Sequence, residues 1–290
     1  MSLKHNINVL PFYTDLRYQD YKREFNFGAI YKLYSPSARL LPFQIIRTHR
    51  SSTPITSVTL QKIKPNGALD GAAVDITAQV SGSGLNILEF SADGYDIIKY
   101  PGALIFPSYS IGLGQYYITI TDGTETWYSE IFTTVNDSSK LIRLVYSSID
   151  NITVPGGHID YTAPFAFECY IDSKLGKPRY PFEEEVKKRD GFTFPEKQIS
   201  EKRYVFEFVA PEYLLDALRL VRLNDVVRIV SEGVTYEVET IFIESRWQDQ
   251  GNLAIVTVEF GISSIVKKTG GGYALDGGDF MDDFNDDYFQ

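Results

Sequence analysis

The stretch "QYYITITDGTETWYSEIF", Gln115 to Phe132, decides how the rest of the chain reads. β-branched and aromatic residues crowd both sides of Asp122-Gly123, and these side chains suit a pleated, half-buried surface. An Asp-Gly pair between two such runs readily takes the positive φ angles of a type I′ turn, so the spacing predicts a β-hairpin. Trp127 then reads as a core or sheet-face residue.

Upstream the same grammar repeats. In "ITSVTLQKI", Ile55, Ser57 and Thr59 alternate with Thr56, Val58 and Leu60, and "KPNGALDG" follows with turn chemistry. "LNILEF", "YDIIKY" and "ALIFPSY" are further strand candidates, and "VSGSGL" reads as a flexible loop. About seven short strands between residues 40 and 137 predict an Ig- or fibronectin-like β-sandwich. Residues 1–39 show little periodicity. They fit either an arm packing on another molecule or a strand and loop wrapping their own domain.

Downstream, "TTVNDSSK" reads as a polar linker. Residues 138–268 then predict a mainly antiparallel α+β domain. Tyr204, Phe206 and Phe208 share one strand face, and Ala254, Val256, Val258 and Phe260 share another. In "APEYLLDALRLVRLND", Pro211 suits a first helical position. Leu214, Ala217, Leu218 and Val221 form an apolar stripe at i, i+3, i+4 and i+7, with Arg219 and Arg222 outside. "YPFEEEVKKRDG" places acid before base, as the helix dipole favours, and predicts one or two exposed helical turns. A partner-binding loop is the alternative.

At 290 residues the chain suits two domains, expected to divide near Asn136–Lys140 and to fold independently. Its 20 Tyr and 19 Phe against 2 Met reinforce the β reading. The net charge is −10; six of those charges fall within 270–290, so the remainder carries only −4. No basic stripe suggests nucleic-acid binding, and no apolar run suggests a membrane span or signal peptide. The expected place of synthesis is a cytoplasm.

The chemistry-bearing residues are sparse. The one cysteine, Cys169 in "FAFECYI", excludes an intrachain disulfide and reads as a small buried hydrophobe. Three histidines, His5, His49 and His158, give no zinc spacing with it. HExxH, P-loop and GxGxxG patterns are absent. A nucleophile elbow fails because Ser81 stands where its first glycine is required. His158 and Asp160 could form a base–orienter pair, but no nucleophile is marked out beside them. Residues 276–287 lack the alternate-position pattern of an EF-hand. Neither cofactor nor metal is expected, and the expectation is that the chain is not an enzyme.

Three runs carry a resemblance. "GQYYITITDGTETWYSEIF", "FPEKQISEKRYVFEFVAPEYLLDALRLVRLNDVVRIV" and "YEVETIFIESRWQDQGNLAIVTVEF" together resemble tail or other virion proteins encoded by phages and prophages of gut bacteria. The resemblance extends from about Leu40 to Lys268 and brings no catalytic residues. It implies a structural building block of the virion, whose β domains assemble with copies of themselves and with neighbouring tail proteins. A β-sandwich module holding a host-surface glycan or receptor is the alternative.

The final segment, 269–290, is acidic and aromatic. Phe280, Phe284 and Tyr288 fall at i, i+4 and i+8, one side of a helix. Asp282, Asp283 and Asp286 lie mostly on its other sides. These six are the candidate partner-binding residues, with aromatics as anchors and carboxylates steering towards a basic groove. A solvated tail that aids solubility is the competing expectation.

Overall fold

The computed structural model describes residues 8–14, 31–65, 67–102, 111–149, 165–189, 191–247 and 253–268. The chain is mainly β. Its first half holds β1 (Phe12–Tyr13), β2 (Leu33–Pro36), β3 (Phe43–Thr48), β4 (Ser57–Ile63) and β5 (Val74–Asp75). A short helix, α1 (Thr77–Gly82), precedes β6 (Asn86–Phe90), β7 (Tyr95–Tyr100), β8 (Gly114–Thr121), β9 (Thr126–Ser129) and β10 (Phe132–Val135). The second half holds β11 (Ile142–Ser147), β12 (Phe167–Ile171), β13 (Phe182–Arg189) and the long β14 (Phe192–Pro211). Then come α2 (Glu212–Leu218), β15 (Val226–Ser231), β16 (Val234–Glu237), β17 (Thr240–Trp247) and β18 (Leu253–Lys268).

The opening hairpin is β8–β9, with Thr121 opposite Thr126. Its loop has four residues rather than a two-residue type I′ turn, because only Gly123 takes a positive φ, +84°. Asp122 instead closes the turn with its side chain, accepting hydrogen bonds from the Thr124 and Glu125 amides. β4 pairs along the other edge of β8 with Val58 and Leu60 inward. These strands share one hydrophobic cluster with the three-stranded sheet β3–β7–β6, through Phe43, Ile45, Ile98 and Tyr100. Trp127 is buried in that cluster. "VSGSGL" is not wholly loop: Val80 to Gly82 close α1, because Val80 has a buried place to fill.

The described parts of the N-terminal segment wrap their own chain. β1 pairs with β9, while Val9 and Leu10 are buried. β2 lies between β10, which it joins in parallel, and β12, which it meets at Tyr34–Tyr170. One sheet therefore runs β1–β9–β8–β10–β2–β12–β11–β15–β16. Every other pairing among the described strands is antiparallel. Polar contacts reinforce the seam: Arg39 pairs with Glu168 and donates to Tyr170 Oη at 3.0 Å. Tyr31 Oη donates to the Val209 carbonyl at 3.0 Å.

A separate four-stranded sheet, β13–β14–β18–β17, carries the docked helix. Phe206, Phe208 and Ala210 face inward beside Val256, Val258 and Phe260, and α2 packs there through Leu214, Ala217 and Leu218. The expected apolar stripe is thus buried, and Arg219 and Arg222 are exposed. Pro211 ends β14 in extended backbone and caps the helix, one place before the position expected for it. A 3-10 turn at Val221–Leu223 follows, burying Val221.

"FEEEVKKR" corrects the helical expectation. It forms β13, paired along its length with β14 across one register shift after Glu185, and turned at Gly191, whose φ is +87°. So short a segment gains little as an isolated helix, whereas the ladder satisfies its backbone and opposes Glu to Lys across the strands. Lys187 lies 3.6 Å from Glu196, and Lys197 lies 3.7 Å from Glu185.

Candidate interaction surface

Two features of the four-stranded sheet create an exposed surface. The register of β14 against β18 shifts between Lys202 and Arg203. Bulges bend and twist a ladder locally. On the core side of this point, inward-facing residues alternate with outward ones in the usual way. On the far side the alternation stops mattering, since both faces are open. Phe182 to Lys188 of β13 and Ser263 to Lys267 of β18 are all exposed.

Large apolar side chains occupy this end. Phe192, at the hairpin tip, is 68% exposed, Ile265 74% and Val186 52%, and Phe182, Tyr180 and Val266 are exposed as well. Register places Phe182, Ser200 and Ile265 on one face, and Ile199 and Val266 on the other. Exposed apolar area spread along a sheet in this way is suited to contact with another protein. β13 is also an outer strand of this sheet, as β17 is at the other edge, so one side of its backbone faces no other described strand.

Nearer the core, the outer face of the same sheet has a shallow depression of about 260 Å³ lined by Arg203, Phe242, Glu244, Thr257 and Glu259. Arg203 is bound to Glu201 and, at 2.8 Å, to Glu259. The Phe242 ring is flanked by two guanidinium groups, Arg203 at 5.6 Å and Arg222 at 5.2 Å.

A second polar cluster ties β3 to β7 and the β8–β9 loop. The Arg47 side chain is fully buried and bridges Asp96 at 3.1 Å and Asp122 at 2.9 Å. His49 Nδ1 lies 2.6 Å from Asp96 Oδ1, and Arg50 reaches Asp122 at 2.6 Å and Glu125 at 3.0 Å. Burial pushes the Asp96 carboxyl up, but bonds from His49, the Arg50 amide and Arg47 hold it below its ordinary value. Asp122 is likewise held low, its burial outweighed by the Glu125 and Thr124 amides and Arg50. This is a fully paired structural lock, which the histidine and arginines of "RTHR" signalled only as scattered charges.

The sequence-derived residues divide as follows. Phe280, Phe284, Tyr288, Asp282, Asp283 and Asp286 lie outside the described residues, as do His5, His158 and Asp160. Cys169 is buried in β12, where burial pushes its thiol up to about 12 and keeps it protonated. Among the described residues, no group of three or more His, Cys, Asp or Glu could hold a metal ion. No helix among them is long and apolar enough to cross a membrane. The exposed sheet end was missed in the sequence because its acid-to-base order resembled a solvated helix. The signal that could have found it was "GFTF", a β-prone run directly after Asp190-Gly191. No protein-family model matches the chain, and no curated protein is significantly similar to it.

Proposed function

We propose that the chain is a non-enzymatic structural component of a phage tail or related virion assembly, acting through protein–protein contacts. The observation that carries this reading is the far end of the four-stranded sheet, where Phe182, Phe192 and Ile265 are exposed on paired β-strands. A surface of that kind gains free energy when another protein covers it. The resemblance to virion proteins supplies the setting. An Ig-like sandwich over residues 40–137 accords with two sheets sharing one core. The segment 269–290 is read as a second docking element, anchored by Phe280, Phe284 and Tyr288. The test is immunogold labelling and mass spectrometry of phage particles from a culture whose genome carries the sequence. Discrete label on the particle accords with the proposal; particles free of the chain overturn it.

A glycan-binding reading is favoured by one feature, the aromatic and carboxylate groups in the Phe242 depression. Against it, Arg203 and Arg222 already lie over the Phe242 ring on which a sugar would stack. A glycan array run with the chain and with Phe242→Ala separates the readings: binding lost with the ring supports the glycan.

A further inference from the structure

The edge strand β13 reads Phe-Glu-Glu-Glu-Val-Lys-Lys-Arg. Its charges are ordered, not mixed: acids precede Val186 and bases follow it. Edge strands commonly carry charge, and a run of one sign keeps sheets from pairing edge to edge. The order here has the opposite consequence for one geometry. Turn a second β13 antiparallel about a two-fold axis at Val186, and Val186 falls opposite itself. Glu185 then faces Lys187 of the other copy and Glu184 faces Lys188, each pair occurring twice by symmetry. Parallel pairing would instead set like charges opposite one another.

We propose that β13 is a self-complementary edge, joining two copies of this chain into a continuous eight-stranded sheet through antiparallel β13–β13 pairing centred on Val186. The inference rests on the assembly function proposed above and names its partner. Three observations carry it. β13 is one of the two outer strands of its sheet, with one backbone edge facing no other described strand. Its side chains from Phe182 to Lys188 are all exposed. The irregularity opposite it falls in β14, where Glu196 is the extra residue between Pro195 and Lys197, so β13 itself runs unbroken. Cross-strand Glu–Lys pairs stabilise such ladders, and a two-fold axis makes each contact count twice. The existing contacts of Glu185 with Lys197 and Lys187 with Glu196 are long, at 3.7 and 3.6 Å, and Glu184 accepts one surface hydrogen bond, from Gln198 Nε2 at 2.7 Å; surface contacts of this kind compete weakly.

The test is a charge swap on the full chain, followed by sedimentation across concentration and salt. The unaltered chain should dimerise reversibly, and less well as salt screens the pairs. Glu184→Lys with Glu185→Lys makes the edge basic; Lys187→Glu with Lys188→Glu makes it acidic. Each variant alone should self-associate at least about tenfold more weakly, and an equimolar mixture should form the heterodimer. Val186→Cys should cross-link to its own copy on oxidation, with the buried Cys169 taking no part. A monomeric parent, or two variants that dimerise like the parent, overturns the proposal. A chain found in particles yet monomeric in solution also overturns it while leaving the assembly function intact.

Discussion

Arg47 shows how one side chain can tie a strand to a loop, β7 through Asp96 and the β8–β9 loop through Asp122. Its guanidinium is the only described cation within reach of both Asp96 and Asp122 among fully buried groups. Arg47→Met should therefore cost about 1–3 kcal/mol in urea unfolding, because it takes one cation from two buried carboxylates that keep His49, Arg50 and backbone amides as partners. The same cluster sets an acid limit. Asp96 and Asp122 lie below the ordinary carboxyl value of 3.8 in the folded chain. Their contribution is thus complete above that value and is lost as pH falls through the lowered folded values. Melting temperature should drop on acidification below about pH 4, and Asp122→Asn should flatten that drop while lowering stability at neutral pH. Leu218, fully buried on α2, gives a simpler case. Leu218→Asp should destabilise by several kcal/mol, on the order of 3–5, since it buries an unpaired charge. A variant melting like the parent would mean that this face of α2 is open.

At the scale of elements, the close pairing of β17 with β18 constrains the residue at position 261. Gly261 faces Thr240 across the ladder, and a Cβ built there would lie 2.6 Å from Thr240 Oγ1. Gly261→Ala should cost about 1–3 kcal/mol by overpacking. Adding Thr240→Ala should return part of that loss, and a double-mutant cycle measures the coupling. Additive losses would place the clash elsewhere. Element identity was legible where residue chemistry and burial agreed. β8, β9, β14 and β18 show their alternation, and α2 shows its stripe. β13 misled because an acid-to-base order serves both a helix dipole and a cross-strand ladder. Only the presence of β14 alongside decides between them.

At the scale of the molecule, β2 links the two halves. It adds to β10 over Leu33–Pro36 but meets β12 at a single registered pair. Residues 141–268 expressed alone should therefore melt cooperatively, at a lower temperature than the whole chain. The fragment loses β2 and the Arg39 contacts with Glu168 and Tyr170. A fragment with no cooperative transition would show that the halves fold only together. Truncation at Thr269 tests the segment 269–290: assembly should weaken, as it should for Phe280→Ser with Phe284→Ser. Equal assembly at every salt concentration would assign the segment to solubility alone.

The sequence by itself determined the β character of the chain, the inward faces of its longest strands, the apolar stripe of α2 and the burial of Trp127 and Cys169. Each of these depends on periodicity or side-chain type, which are local properties. Tertiary structure alone decided that β2 would join β10 to β12, that "RTHR" would meet Asp96 and Asp122, and that "FEEEVKKR" would become an open strand edge. Those outcomes depend on which distant residues arrive opposite one another. A strand's own sequence states which face it would bury, but its partner, and whether its edge stays open, are set by the rest of the sheet.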